Sequence, residues 1–122
     1  MKDTFEQFLD MLDKNEKYDV WVKSHSVRSY SQELGKEINE LLEGLKNNDQ
    51  KNIEEEIADI LYNAFVLAKI VERDYGFEIK TLMNNIIQKM QRRKPYIFEE
   101  KEVTMEESIV LWQEAKRKEK LK

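Results

Sequence analysis

The sequence contains no cysteine and only one histidine, His25. Without cysteine the chain forms no disulfide, has no thiolate nucleophile and offers no sulfur ligand for zinc or iron–sulfur clusters. A single histidine also excludes Glu-x-x-His di-iron sites and histidine-rich zinc sites. Glycine and proline are scarce, at 3 and 1 residues. This scarcity argues against a β-sandwich or barrel, because each hairpin of such a fold needs turn residues.

Long apolar runs and an excess of positive charge are missing as well. No stretch approaches the ~18 apolar residues of a membrane-spanning helix, and residues 1–8 carry no signal-peptide pattern. We therefore expect a cytoplasmic protein without a membrane partner. The 21 basic and 25 acidic side chains give a net negative charge that disfavours a nucleic-acid polymer as partner. The length suits one domain over residues 1–122.

The sequence does contain apolar residues spaced three or four apart, which is the period of an amphipathic α-helix. These stripes run through residues 4–14, 26–45, 53–71 and 79–90. A capping-box pattern at Thr104 and Glu107 begins a last helix, while Gly76 and Pro95 mark helix ends. The turn-like residues 46–50 separate the two longest stripes. The sequence therefore predicts an all-α fold of four to five helices around a central antiparallel hairpin.

Four acids lie beside the apolar stripes of the two central helices. At about 100° per residue, Glu37 and Glu40 fall on one shoulder of the first stripe, and Glu56 and Asp59 fall on the same shoulder of the second. In an antiparallel hairpin that turns at Asn48, residues at equal distances from the turn share a level. Glu40 and Glu56 are both 8 residues from Asn48. Since Glu37 and Asp59 are both 11 residues away, we expect two carboxylate pairs stacked one turn apart.

Four carboxylates held this close together repel one another unless a cation lies among them. An all-oxygen ligand set without cysteine or histidine favours a hard ion, Mg²⁺, with Mn²⁺ as a possible substitute. Such ions keep coordination positions for water and substrate phosphates, so the pattern indicates a phosphoryl-transfer site. The alternative is ordinary solvated helix surface. Asn63, one turn after Asp59, is either a further polar ligand or a surface hydrogen-bonding residue.

A basic shoulder marks the fourth predicted helix, where Lys89 and Arg93 lie four residues apart and face nearly the same way. They can neutralise a triphosphate, arginine through its bidentate fork, or they can simply complement the helix dipole. Trp21 and Trp112 can stack on a nucleobase, with core packing as the alternative for each. Because the sequence has no glycine-rich phosphate loop, phosphate chemistry here has to rely on metal ions and cationic side chains.

Together these motifs resemble the MazG family of all-α nucleoside triphosphate pyrophosphohydrolases. The family's E-x-x-E and E-x-x-D motifs correspond to residues 37–40 and 56–59. Its K-x-x-R-R-x-P-x-x-F block corresponds to residues 89–98, and its tryptophan-x-basic motif to residues 21–23. A C-terminal tryptophan followed by a basic helix is similar to residues 112–122. The acidic and basic motifs in this order make the resemblance specific.

The resemblance implies Mg²⁺-dependent hydrolysis of an NTP or dNTP at the α–β phosphate bond, which yields NMP and pyrophosphate and cleanses the nucleotide pool. It also implies a homodimer, or a tetramer, that completes the helical bundle. Glu37, Glu40, Glu56 and Asp59 would hold the metal, with Glu37 or Glu40 assisting the attacking water. The residues that would contact the nucleotide are Trp21, Lys23, Asn63, Lys89, Arg93 and Trp112.

Two alternative functions stay open. One is a related all-α enzyme acting on dUTP or on a phosphoribosyl nucleotide, because the chain departs from the family pattern at Lys36, Asn52, Lys94 and Tyr96. The other is a non-catalytic helical adaptor or regulatory protein that docks partners through its apolar stripes. Only the enzymes require the four carboxylates, so loss of these acids distinguishes the two classes.

Overall fold

A computed structural model describes residues 1–121 of the chain, and these residues form helices and no strand. The helices are α1 (Lys2–Tyr18), α2 (Val20–Lys23), α3 (Val27–Lys46), α4 (Gln50–Tyr75), α5 (Ile79–Arg93), α6 (Pro95–Phe98) and α7 (Met105–Lys120). Two of them, α2 and α6, are single turns, and the five longer helices correspond to the five predicted ones. The all-α prediction is therefore confirmed. Across residues 1–121, none of the helices combines the length and apolar character needed to cross a membrane.

The described residues form two compact units, the first spanning Met1–Ile79 and the second beginning at Lys80. The first unit contains α1 to α4, and the second contains almost all of α5 together with α6 and α7. That residues 1–122 act as one domain stays a prediction.

The central hairpin of the first unit consists of α3 and α4. Ser26 caps α3 by accepting a hydrogen bond from the backbone N–H of Ser29, and Asp49 caps α4 in the same way for Asn52. The chain reverses at Asn48, which has a φ of 52°. The two helices approach each other closely near the turn, where Gly44 faces Asn52. A Cβ atom on Gly44 would lie only 2.9 Å from Asn52 Nδ2. Gly76 ends α4 in the left-handed conformation, with a φ of 77°.

The buried core of the first unit lies at the end of the hairpin remote from this turn. Its fully buried residues come from α1, α2, α3 and α4, and they are Leu12, Val22, Tyr30, Val66 and Ile70. Helix α1 is longer than the predicted residues 4–14. It continues to Tyr18 because Asn15 and Glu16 contact Tyr62 and Lys69 of α4.

Five apolar residues nearer the turn form what we call the apolar hairpin face. Each of them is between 45% and 58% exposed. The residues of this face are Ile38, Leu42, Leu45, Ile57 and Leu61. The hairpin therefore buries apolar side chains at the end remote from the turn and leaves these five about half exposed nearer the turn.

In the second unit, α7 is tied to α5 by an arginine. Thr104 caps α7 by accepting from the backbone N–H of Glu107, as the capping pattern predicts. Arg93, the last residue of α5, is only 9% exposed. Its guanidinium donates to Glu119 at 3.0 Å and lies 4.7 Å from the ring centroid of Trp112. Helix α5 ends at Arg93, and Pro95 begins the single turn α6, where its missing N–H costs nothing.

Candidate metal centre

Three of the predicted acids converge in the middle of the hairpin. One carboxylate oxygen from each of Glu37, Glu56 and Asp59 lies within 4.8 Å of the other two. Glu37 comes from α3 and the other two from α4, one turn apart. Glu37 and Glu56 are partly buried, whereas Asp59 is exposed. We refer to these three residues as the carboxylate cluster.

The cluster makes its two glutamates harder to ionise. Burial, a hydrogen bond with Glu56 and the charges of Glu40 and Asp59 raise the pKa of Glu37 from 4.5 to about 7. Burial also raises the pKa of Glu56, and Glu40 and Asp59 act in the same direction, although the hydrogen bond with Glu37 opposes them.

Two oxygens of the cluster have no hydrogen-bond donor. Glu37 Oε2 and Glu56 Oε2 are both buried without a partner among the described residues. When both groups are ionised, neither oxygen can donate to the other, and two buried unpaired charges are unfavourable. A proton shared between the two groups, or a cation, removes this cost. Carboxylate oxygens alone form the ligand set, which suits a divalent ion of the Mg²⁺ type.

The fourth predicted acid, Glu40, lies beside the cluster. It is exposed, and its charge raises the pKa of both Glu37 and Glu56. With Glu56 it lines a shallow depression completed by Asn39, Glu43 and Asn52. Glu40 thus adjoins the carboxylate cluster but is not one of the three residues whose carboxylate oxygens converge.

Of the predicted nucleotide-binding residues in the first unit, Asn63 has the best-defined environment. It lies one turn after Asp59 in α4 and accepts a hydrogen bond from Tyr30 at 2.6 Å. Trp21 is 55% exposed and packs edge-on against His25, with ring centroids 4.4 Å apart. Lys23, the last residue of α2, is exposed. Neither Trp21 nor Lys23 contributes to the buried core, so both side chains are accessible to a ligand.

The three predicted nucleotide-binding residues of the second unit lie on α5 and α7. Lys89 is one turn before Arg93, and it is partly buried. Arg93 and Trp112 contact each other in the cation–π arrangement described above. The pairing of Arg93 with Glu119 uses Nε and Nη2, so Nη1 lies outside that ion pair. Trp112 is partly buried and packs within the unit, as the core-packing alternative expects.

The contribution of Tyr30 to this region is not evident from the sequence. Its spacing fits the apolar stripe of α3, and the side chain is indeed 2% exposed. Its hydroxyl nevertheless reaches Asn63, a residue 33 positions away. No signal in a single sequence reports such a contact.

The sequence of this chain matches a known protein family. A sequence model of the MazG nucleotide pyrophosphohydrolase domain matches residues 25–98. The chain belongs to the MazG family. The matched segment contains the whole hairpin with its carboxylate cluster, and the resemblance found in the acidic and basic motifs is confirmed. The enzyme class of this family, nucleotide pyrophosphohydrolase, is the one that the resemblance implies.

Two known proteins, each 32% identical, are similar to most of this chain. A Thermotoga maritima protein, described as a mazG-related protein, has a crystal structure with a TM-score of 0.86 and 32% identity. The match covers 92% of this chain and 98% of that one. The Bacillus subtilis strain 168 protein named Uncharacterized protein YabN is 32% identical over 101 residues, which are 82% of this chain.

A third relative carries the name of an enzyme. It is the nucleoside triphosphate pyrophosphohydrolase of Mycobacterium tuberculosis strain H37Rv, and it is 25% identical over 112 residues, or 90% of this chain. The chain spans only 21% of the Bacillus protein and 34% of the mycobacterial one.

Proposed function

We propose that this MazG protein hydrolyses nucleoside triphosphates, NTPs or dNTPs, at the α–β phosphate bond in a Mg²⁺-dependent reaction, and that it cleanses the nucleotide pool of the cytoplasm. The observation that carries the proposal is the carboxylate cluster with its two buried, partnerless oxygens. Such a cluster is unfavourable as a purely structural element and favourable as a cation site. Family membership supports pyrophosphate release as the reaction.

The carboxylate cluster would hold the divalent ion, with Glu40 completing the ligand set. When bound, Mg²⁺ or Mn²⁺ would neutralise charge on the phosphates and orient them. Glu37 or Glu40 would orient a water molecule and accept its proton as the oxygen attacks the α-phosphorus in line. The bond from the α-phosphorus to the bridging oxygen breaks, pyrophosphate leaves, and the water oxygen remains on the NMP.

Six residues would contact the nucleotide. Asn63, Trp21 and Lys23 are accessible in the first unit, and Lys89, Arg93 and Trp112 would bind phosphates and base. Arg93 keeps Nη1 outside its pairing with Glu119, so it can contact a phosphate without breaking that ion pair. A guanidinium that is already oriented loses little conformational entropy when it binds an anion.

The protein would act as a homodimer, or as a tetramer built from dimers. The apolar hairpin face supports this proposal, because its five residues are about half exposed although they continue the buried stripes of α3 and α4. A second copy of the hairpin would cover these side chains and complete a four-helix bundle. Contiguous exposed apolar surface of this kind is typical of protein interfaces.

Charge-neutralising variants of the acids test the proposed site. Glu40→Gln and Asp59→Asn should each lower turnover by about a hundredfold or more, since they remove ligand charge without changing side-chain size. Glu55→Gln is the matched control, because Glu55 is an exposed neighbour of Glu56. Full activity of either site variant would show that the assignment is wrong. Turnover restricted to dUTP or a phosphoribosyl nucleotide would favour the related enzymes, and no turnover at all would favour an adaptor.

A further inference from the structure

The hydroxyl of Tyr30 makes the hydrogen bond that links the buried core to the region of the carboxylate cluster. Tyr30 is 2% exposed and donates to Asn63 Oδ1 at 2.6 Å, joining α3 to α4. Burial, and then the charges of Tyr62 and Asp19, raise the pKa of Tyr30 to about 12. The hydroxyl therefore stays protonated at neutral pH and remains a donor.

This hydrogen bond fixes the orientation of the Asn63 amide. An amide group carries its acceptor oxygen and its donor nitrogen on opposite sides, so an oxygen held toward Tyr30 directs the nitrogen away from it. Among the hydrogen bonds of residues 1–121, Asn63 Nδ2 donates none. Asn63 lies four residues after Asp59, which places it about 6 Å further along the same edge of α4. A substrate whose phosphates occupy the cluster reaches this position.

We infer that Tyr30 is a positioning residue that makes Asn63 a hydrogen-bond donor to an oxygen atom of the bound nucleotide, and not a ligand of the divalent ion. This inference rests on the proposed function, since it requires a nucleotide at the cluster. An amide binds a metal ion through its oxygen, and the Asn63 oxygen is directed toward the buried hydroxyl of Tyr30, which leaves the amide nitrogen to face a ligand. Asn63 therefore contributes to substrate affinity, and Tyr30 contributes through Asn63.

The test compares Tyr30→Phe with Tyr62→Phe. Tyr62 is a suitable control because it is partly buried and its hydroxyl accepts a 2.6 Å hydrogen bond from another asparagine, Asn15. Tyr62 is the immediate neighbour of Asn63, so both variants remove one hydroxyl from the same part of the fold. The measurements are KM and kcat for an NTP, the Kd of Mn²⁺, and the melting temperature of each variant.

Tyr30→Phe and Asn63→Ala should each raise KM by about three- to tenfold, the effect of one hydrogen bond. Both should leave kcat and the Kd of Mn²⁺ unchanged, and Tyr62→Phe should leave all three constants unchanged. Tyr30→Phe should add nothing in the Asn63→Ala background, because its effect passes through Asn63. A purely structural role would lower the melting temperature without producing this dependence.

Three results would overturn the inference. They are equal KM values for the two tyrosine variants, additive effects in the double variant, and a weaker Kd of Mn²⁺ in Asn63→Ala. If the wild type has no turnover, the same comparison is made with the Kd of an α,β-imido nucleotide. Binding of that nucleotide without an effect of Tyr30→Phe would overturn this inference alone. No binding by the wild type would overturn it together with the proposed function.

The same variants show which oxygen Asn63 contacts. A smaller increase in KM for a deoxynucleotide than for its ribonucleotide would support a bond to the sugar. A smaller penalty for a nucleoside diphosphate than for the triphosphate would support a bond to the terminal phosphate. An equal increase in KM for all of them would support a bond to a part that they share, which is the base or the α- or β-phosphate.

Discussion

Neutralising Glu37 should remove a pH dependence of stability from the metal-free protein. The pKa of Glu37 is raised from 4.5 to about 7 by burial and by the neighbouring acids. Because the folded state binds the proton more tightly than the unfolded state, this group stabilises the fold fully below about pH 4.5. The stabilisation is lost as the pH rises through about 7. Without metal, the wild type should therefore become less stable between about pH 5 and about pH 8.

The size of this effect follows from the shift. A change from 4.5 to about 7 corresponds to an upper limit of about 3 kcal/mol. Glu37 is only partly buried, so screening by water lowers the expected contribution to about 1 kcal/mol. For a chain of this length, that difference moves the melting temperature by roughly 3–5 °C. Glu37→Gln should show this gain in stability at about pH 8 in a chelator-containing buffer.

Thermal unfolding followed by circular dichroism measures this effect for the wild type, Glu37→Gln and the control Glu55→Gln. The wild type and the control should lose stability in parallel as the pH rises, and Glu37→Gln should lose less. Adding Mg²⁺ above neutral pH should raise the melting temperature of the wild type more than that of Glu37→Gln. Only the folded cluster binds the ion, and the variant has lost one charged ligand. Equal pH slopes for the wild type and Glu37→Gln would refute the reasoning, and so would equal responses to Mg²⁺.

Two further predictions concern packing and assembly. Burial alone would lower the pKa of Lys69, but its hydrogen bonds with Glu72, Asp13 and Glu16 outweigh burial and hold the pKa above its ordinary value. Lys69→Met should therefore cost about 1–3 kcal/mol in urea denaturation, and a loss below about 0.5 kcal/mol would contradict this account. Leu61→Lys on the apolar hairpin face should convert a dimer into a monomer in sedimentation velocity, because a buried ammonium is unfavourable there. An unchanged dimer would place the interface elsewhere.

Most helix ends could be predicted because local chemistry determines them. Ser26, Asp49 and Thr104 cap helices through their own side chains, and Gly76 takes a backbone conformation that other residues avoid. The end of α1 could not be predicted in this way. Residues 15–18 are polar and have no clear apolar period, and contacts with residues far along the chain stabilise their helical turn.

The carboxylate cluster could be predicted because, in an antiparallel hairpin, residues at equal distances from the turn lie side by side. Equal offsets from Asn48 placed Glu37 level with Asp59, and the structure brings both within 4.8 Å of Glu56. The contacts of Tyr30 with Asn63 and of Arg93 with Glu119 lie outside this reasoning. Both join residues more than 25 positions apart, and both depend on side-chain packing that periodicity does not describe.

Product analysis would establish or exclude the proposed reaction. The wild-type protein is incubated with Mg²⁺ and a panel of NTPs and dNTPs, and the products are separated by ion-exchange chromatography. The account predicts a nucleoside monophosphate and pyrophosphate in equal amounts from at least one member, and no products when Mg²⁺ is chelated. A nucleoside diphosphate with inorganic phosphate, or no product from any member with Mg²⁺ or Mn²⁺, would contradict it.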